Sequence, residues 1–303
     1  MKTIAFTAYF AAAVVNLQAY FFFSPELIQS NLKTYSEEEK AEIEKDLAVV
    51  KGVCFPQKLQ SKERPVYVAS AGAPGSRKTT ILEKFLKTEP GYSDCIYLDP
   101  DPRSLKYMVH TYLQSLTPYI SSQADSYDTV IRNAYNKWRY GSTYICASLL
   151  EEAFQNRCDV AHGTTLTGDV VPSLLSKIKE AGYEITLLLC SADDAFRENA
   201  IRYRNEVQRF YQSSPEDAVS KGKFFPQKME TYFKYADNMH FYWSDALDRP
   251  ERLAAKWSSG ELTILDEDAW YRFVQKYESD RAALLTEGKV IPPFDELIHA
   301  HVK

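Results

Sequence analysis

The chain has 303 residues, of which 45% are hydrophobic and 25% charged, a balance typical of soluble globular proteins. Its formal net charge of -5 argues against broad electrostatic attraction to nucleic acid, so we expect no nucleic-acid partner. Five cysteines, none in a Cys-x-x-Cys pair, predict reduced thiols of a cytosolic protein rather than disulfides or a metal site.

The N-terminal segment is ambiguous from sequence. No charged residue occurs from Ile4 to Phe23, but Thr7, Asn16 and Gln18 interrupt the apolar run. A helix packed on the domain is favoured, a signal or export sequence is the second reading, and a membrane anchor is the least favoured. We therefore expect no membrane partner.

Two helix starts follow this segment. Ser24 is placed as an N-cap before Pro25 at the first helical position, and Ser36 with Glu39 forms a capping box before an acidic helix. Residues 1–60 are accordingly predicted to form an N-terminal helical segment.

The stretch after Arg64 resembles a phosphate-binding loop. The predicted strand Val66–Ala71 leads into Gly-Ala-Pro-Gly-Ser-Arg-Lys-Thr at 72–79, and a predicted helix covers Thr79–Leu86. In the Walker A pattern, Gly-x4-Gly-Lys-Ser/Thr, backbone N–H groups surround the phosphates, the Lys reaches the β and γ oxygens, and the hydroxyl binds Mg²⁺. An ordinary strand–turn–helix is the alternative.

One defining position of the pattern differs. Arg77 stands where the pattern has glycine, and a side chain resists backbone angles that glycine adopts freely. The departure predicts either weakened nucleotide binding or an additional cation near the phosphates. The ATP contacts predicted from the loop, with Thr79 also the Mg²⁺ ligand, are Gly72, Ala73, Pro74, Gly75, Ser76, Arg77, Lys78, Thr79 and Thr80.

Short apolar strands then alternate with helices. The further strand candidates are Cys95–Leu98, Asp159–Ala161, Glu184–Cys190 and Met239–Trp243. The helix candidates are Ser104–Leu116, Tyr127–Arg139, Ser142–Gln155, Val171–Ala181 and Asp193–Tyr211, the last with a predicted Ser191–Asp194 cap. The alternation predicts an α/β, P-loop NTPase-like fold, with a parallel sheet flanked by helices over residues 61–245.

In such sheets, ligands bind beyond the carboxyl ends of the strands. The second strand candidate ends in Asp-Pro-Asp-Pro-Arg at 99–103, and the third ends in His-Gly-Thr at 162–164. After about Trp243 the alternation fades. Residues 246–303 are predicted to form a C-terminal extension with a hairpin or edge strand at Trp257–Leu265 and a helix at Asp268–Leu285.

In their order and spacing, these pieces resemble the zeta toxin family of phosphate-loop small-molecule kinases, over about Pro25 to Asp245. No single motif decides this resemblance. The matching segments are Gly72–Thr79, Leu98–Arg103, Ala147–Ala153, Gly163-Thr164 with Asp169-Val170, and a lid region with Arg202-Tyr203 and Lys223.

The resemblance implies ATP-dependent phosphorylation of a sugar hydroxyl, best known on UDP-N-acetylglucosamine, with ATP and Mg²⁺ as cofactors. It implies Lys78 on the phosphates and Asp101 as the catalytic base, and it places Arg202 and Lys223 as cations at the transferred phosphoryl group. The residues it places at the acceptor are Asp99, Arg103, His162 and Thr164. A toxin or effector role and an antitoxin or inhibitor protein as partner are also implied.

Two departures concern the acceptor. His162 stands where the family usually has a carboxylate, and Leu166 stands where it has a cation. They predict an altered acceptor pocket and weak or absent phosphorylation of UDP-N-acetylglucosamine. A degenerate phosphate-loop protein that binds nucleotide or a protein partner without transfer is the alternative function. The need for ATP favours action in the cytoplasm, of the producing cell or of a host cell that receives the protein.

Overall fold

In a computed structural model of the chain, residues 21–56, 59–117, 124–211 and 222–301 are described. Of the apolar segment Ile4–Phe23, all but the last three residues lie outside these ranges. Two helices come first, α1 (Pro25–Ser30) and α2 (Glu37–Cys54). Both predicted caps are confirmed, because Ser24 Oγ accepts a hydrogen bond from the amide of Leu27 and the Ser36–Glu39 capping box closes in both directions.

A seven-stranded sheet organises the described chain. Its strands are β1 (Val66–Ala71), β2 (Ile96–Leu98), β3 (Val160–His162), β4 (Glu184–Ala192), β5 (Asn238–Ser244), β6 (Arg252–Ser258) and β7 (Glu261–Ile264). The order is β2-β3-β1-β4-β5-β6-β7; the first five strands pair in parallel, and β6 and β7 add on antiparallel. The predicted α/β fold with a parallel sheet is confirmed, and the predicted hairpin is present as β6 and β7.

Helices cover this sheet. They are α3 (Lys78–Thr88), α4 (Tyr112–Leu116), α5 (Ala124–Gln155), α6 (Val171–Glu180), α7 (Asp194–Glu206), α8 (Met229–Tyr235), α9 (Glu267–Thr286) and α10 (Phe294–His301). Within the described ranges, no helix has the length and apolar character needed to cross a bilayer.

One predicted break in a helix is wrong. The two helices predicted on either side of Gly141 form the single helix α5. A Cβ at Gly141 would lie 3.1 Å from Cδ1 of Ile43, and the Gly141 amide donates to the hydroxyl of Tyr35 at 3.0 Å. The glycine therefore makes room for α2 against α5 and does not end the helix.

One predicted helix is also wrong. The stretch Ser104–Leu116 begins at the end of a π-helical turn (Pro100–Ser104), continues as a 3₁₀ turn (Leu105–Tyr107) and ends in the short α4. Asp46, a buried residue of α2, accepts from the amide of His110 at 2.8 Å and from the hydroxyl of Thr111 at 2.6 Å. A carboxylate distant in sequence thus satisfies the groups at which the predicted helix is interrupted.

The predicted cap of α7 is wrong as well. Ser191 lies inside β4, and the N-cap is Asp193, whose side chain makes no capping hydrogen bond. β4 is longer than its apolar run because it pairs with β5 as far as Ala192.

The core continues past residue 245. Phe241 of β5 packs against Trp270 and Phe273 of α9, with ring centroids 5.2 and 5.3 Å apart. Phe294 of α10 joins the same aromatic group, 6.1 Å from Phe273. The C-terminal residues therefore share both the sheet and the hydrophobic core with the preceding part of the chain.

Candidate functional site

The loop between β1 and α3 has the backbone shape that phosphate binding requires. Gly72 and Gly75 have φ values of 139° and 84°. A Cβ on Gly72 would lie 2.1 Å from the carbonyl oxygen of Cys190, and one on Gly75 would lie 2.5 Å from that of Arg197. Only glycine fits at these positions without a shift of the backbone. Because α3 begins at Lys78, the loop amides and the positive end of the helix dipole lie together.

Lys78 is a half-buried cation of this loop. Its Nζ donates to the carbonyl oxygen of Ala73 at 2.7 Å, and burial lowers the pKa of its ammonium to about 8. An ammonium that burial destabilises gains from an anion beside it. The environment of Lys78 therefore fits a nucleotide phosphate, and Thr79 follows it in the first turn of α3 and lines the same cleft.

Arg77, which replaces the usual glycine, has φ 61° and ψ 24°, in the left-handed region. Its Nη1 donates to the carbonyl oxygens of Ala246 and Arg249, at 3.1 and 2.7 Å. Its Nε lies 2.8 Å from Oε1 of Glu251. The guanidinium is thus bound by the segment that joins β5 to β6.

A cleft of about 930 Å³ lies beyond the carboxyl ends of β1, β2 and β3. One part of its lining is the phosphate loop with Thr164 and Thr165. Another part is Asp99–Pro102. Further lining residues are Lys106, Tyr135, Arg139, Tyr203, Arg204, Phe210, Leu247 and Asp248.

The two predicted carboxylates differ in environment. Asp99 is buried, and its Oδ1 accepts from the amide of Asp101 at 2.8 Å. Burial, together with the charge of Asp101, raises the pKa of Asp99 well above its usual range. Asp101, by contrast, has its Oδ1 3.2 Å from Nε of Arg139. One carboxylate is therefore desolvated and the other is ion-paired, and both line the cleft.

Two arginines of the cleft were not predicted from the sequence. Burial disfavours the charge of Arg139, but the neighbouring Asp101 and Tyr135 hydroxyl help raise its pKa overall. Burial lowers the pKa of Arg204, whose Nε and Nη2 are buried without a hydrogen-bond partner among the described residues. Tyr135 and Arg139 are one helical turn apart, and this spacing was a weak indication in the sequence that the two side chains lie together. Nothing in the sequence separated Arg204 from Arg202.

Two predicted lid cations lie elsewhere in the structure. Arg202 is exposed on α7 and is not among the described residues that line the cleft. Lys223 forms an ion pair with Glu287, with Nζ 2.5 Å from Oε1. The structure therefore brings together the phosphate loop and the acidic pair, but not these two side chains.

Some of the predicted acceptor residues line the cleft and others do not. Thr164 lines the cleft, and its amide donates to Ser70 Oγ at 3.2 Å. His162 is buried, with Nδ1 2.9 Å from the hydroxyl of Tyr67, and burial lowers the pKa of its imidazole to about 4. Arg103 places its guanidinium 4.5 Å from the centre of the Tyr97 ring. Neither His162 nor Arg103 is among the described lining residues.

The donor set of the cleft fits Mg²⁺. The Thr79 hydroxyl and the carboxylates of Asp99 and Asp101 supply oxygen atoms, which this ion prefers. Among the described residues, no group of three or more His, Cys, Asp or Glu side chains could hold a metal ion. The arrangement suits an ion bound by few protein ligands together with nucleotide phosphates.

The sheet order and the loop define an α/β fold of the P-loop type. The chain belongs to the zeta toxin family, whose sequence model matches residues 54–227. A search of curated proteins gave no match to this sequence.

Solved structures share the fold at low sequence identity. A chain from the PezAT chromosomal toxin–antitoxin system of Streptococcus pneumoniae aligns with TM-score 0.51 and 18% identity, covering 83% of this chain and 98% of that one. A chain of AvrRxo1-ORF1:AvrRxo1-ORF2 with sulphate ions aligns with TM-score 0.55 and 13% identity, covering 95% and 98%. The same pair with ATP gives TM-score 0.53 and 13% identity, covering 93% and 95%.

Proposed function

We propose that the chain is an ATP-dependent kinase that transfers the γ-phosphoryl group to a hydroxyl of a small molecule. The supporting observation is that one cleft contains the phosphate loop with Lys78 and Thr79, the acidic pair Asp99 and Asp101, and the guanidinium of Arg204. Phosphoryl transfer needs these parts, because it depends on positioning and charge neutralisation and requires little covalent chemistry from the protein. The similar AvrRxo1 structure with ATP supports ATP as the nucleotide.

The proposed roles combine the surroundings of each group with the family resemblance. Lys78 and the loop amides would hold the β and γ phosphates, and Thr79 would hold Mg²⁺, which would supply positive charge to neutralise the phosphates. Asp101 orients the acceptor hydroxyl and accepts its proton, with Asp99 beside it. Arg204 adds a cation from α7. Arg202 and Lys223 stay in the proposal as the lid cations that the family resemblance implies.

The cleft favours an acceptor with both a planar ring and negative charge. Lys106 and Arg204 supply cations, and Tyr203 and Phe210 supply aromatic rings. The Lys106 ammonium lies 4.4 Å from the centre of the Phe210 ring. Cations suit phosphate groups and aromatic faces suit bases. We therefore propose a nucleotide sugar or a related metabolite, with Asp99, Thr164 and, as the resemblance implies, Arg103 and His162 on the acceptor side.

Transfer to a metabolite extract tests this function. The purified chain, ATP labelled in the γ position, Mg²⁺ and the extract should give a labelled product. Lys78→Ala should abolish this transfer, because the γ-phosphoryl loses its fixed cation. Arg64→Ala, which removes an exposed side chain of the same charge type outside the cleft, is the matched control and should leave transfer intact.

Nucleotide binding without any labelled product would favour the alternative, a degenerate phosphate-loop protein. UDP-N-acetylglucosamine belongs in the same assay as a single substrate. We expect weak or no turnover of it, and efficient turnover would contradict the altered acceptor pocket.

We further propose that the chain acts as a toxin or effector in a cytoplasm, where an antitoxin or inhibitor protein restrains it. The proposal is supported by family membership and by the toxin–antitoxin system named for a similar structure. Expression of the wild-type chain should slow the growth of a bacterial host, and the Lys78→Ala chain should not. Equal growth inhibition by both chains would show that phosphotransfer is not the toxic activity.

A further inference from the structure

Arg77 connects two parts of the cleft that are distant in sequence. The β5–β6 segment, defined as residues 245–251, supplies Leu247 and Asp248 to the cleft lining. The Arg77 guanidinium binds the carbonyl oxygens of the residues on both sides of this pair, Ala246 and Arg249. It is also ion-paired with Glu251, whose side chain is only 4% exposed. One side chain thus spans the part of the segment that faces the cleft.

The segment has few other attachments. Its first residue, Asp245, accepts from the indole of Trp243 at 2.6 Å and from Arg252 at 3.2 Å. Within the described part of the chain, the two bonds from Arg77 are the side-chain hydrogen bonds made to residues 246–250. Hydrogen bonds from a charged donor are worth more than neutral ones. The position of Leu247 and Asp248 therefore depends on Arg77.

We propose that Arg77 is a positioning residue that holds the β5–β6 segment as the wall for the nucleoside half of ATP. This inference rests on the proposed kinase function, because it takes ATP to be the nucleotide. Leu247 presents an apolar side chain, 41% exposed, next to the phosphate loop, which suits the face of a base. Asp248 adds a carboxylate acceptor for amino or hydroxyl groups of the nucleoside.

The backbone of Arg77 agrees with this role. A non-glycine residue at φ 61° is uncommon, and glycine would adopt this conformation more easily. Arg77→Gly restores the usual loop pattern and relieves that cost. A loss of binding in this variant would therefore come from the lost side chain and not from a strained loop.

The test compares ATP with inorganic tripolyphosphate, which offers phosphates without a nucleoside. Titration calorimetry with Mg²⁺ should show Arg77→Gly binding ATP about tenfold more weakly than wild type, because two charge-assisted hydrogen bonds are lost. Tripolyphosphate binding should change by less than about twofold, since the phosphate contacts stay in place. Glu251→Gln, which leaves the loop sequence intact, should weaken ATP binding in the same direction by a smaller factor.

Hydrogen exchange supplies a readout that does not require a ligand. Amides of residues 246–249 and 251 should exchange faster in Arg77→Gly than in wild type, and Arg64→Ala, at an exposed position outside the cleft, is the matched control and should leave them unchanged. Parallel weakening of ATP and tripolyphosphate would overturn the inference by showing that Arg77 acts on the phosphates. Unchanged ATP binding in Arg77→Gly would overturn it too. A wild-type chain that binds neither compound would contradict the proposed function itself, and the inference with it.

Discussion

At the scale of single residues, the acidic pair is the sharpest test of the proposed chemistry. Asp101→Asn should reduce phosphoryl transfer by about 10²–10⁴-fold while ATP binding stays near normal, because an amide keeps the shape of the carboxylate but cannot accept the proton. Asp99→Asn should cost less, since Asp99 is placed to support the turn through the Asp101 amide. Single-turnover transfer and equilibrium ATP binding measure the two effects separately.

The variant that loses more phosphoryl transfer identifies which of the two carboxylates is the base. An inactive Asp99→Asn beside an active Asp101→Asn would exchange their roles and assign the base to the buried carboxylate with the raised pKa. If neither change matters in a chain that transfers phosphate, the base lies elsewhere and the zeta-like mechanism fails.

At the scale of elements, the sequence predicted the strands better than the helices. Val66–Ala71 was predicted to the residue, because its apolar run ends at a glycine that the turn requires. The continuity of α5 through Gly141 and the interruption before α4 depend on side chains of α2, Ile43 and Asp46. A local sequence pattern cannot predict a contact with a side chain about 65 to 100 residues away. Arg139 and Arg204 escaped prediction for the same reason, since only the folded chain brings them to the cleft.

The contribution of Asp46 to the free energy of unfolding can be measured. Asp46→Ala should destabilise the protein by about 2–4 kcal/mol, because the buried hydroxyl of Thr111 and the amide of His110 lose their acceptor. Asp46→Asn, which keeps one oxygen, should cost less. Urea unfolding followed by circular dichroism measures both. Equal stability of Asp46→Ala and wild type would show that water replaces the carboxylate there.

At the scale of the whole molecule, the predicted boundary after residue 245 can be tested by truncation. A chain that ends at Asp245 leaves β5 as an edge strand and removes Trp270 and Phe273 from the side of Phe241. We expect it to lose cooperative unfolding and to aggregate, since an apolar edge strand is exposed. A truncated chain that unfolds cooperatively and binds ATP would establish residues 246–303 as a separable extension.

The pH dependence of stability is a second property of the whole molecule, and buried histidines contribute to it. Burial lowers the pKa values of His162 and His240 to about 4, whereas histidine in an unfolded chain titrates near 6.5. Between these values the unfolded chain binds more protons, so this stability is complete above about pH 6.5 and is lost as the pH falls toward 4. Each fully buried histidine contributes a slope of about 1.4 kcal/mol per pH unit.

Buried carboxyl groups change the stability with pH in the opposite direction over the same pH range. The raised pKa values of Asp46 and Asp99 mean that the folded chain holds protons that the unfolded chain has released, so their contribution falls as the pH rises from about 4. The measured slope of stability against pH is therefore the sum of positive contributions from histidines and negative contributions from carboxyl groups. Only a comparison of variants isolates the contribution of one histidine.

The substitution His162→Asn isolates the contribution of His162 to the pH dependence of stability. The asparagine keeps a polar atom for the Tyr67 hydroxyl but does not titrate, so it does not lose stability when the pH falls. Wild type should therefore exceed His162→Asn in unfolding free energy by more at pH 7 than at pH 5, as measured by urea titration at each pH. The matched control is His299→Asn at an exposed position, which makes the same substitution where the side chain is not buried. A difference for His162→Asn that is the same at both pH values would mean that the buried imidazole gains its proton in the folded chain as easily as in the unfolded one, and that the packing around the end of β3 admits water.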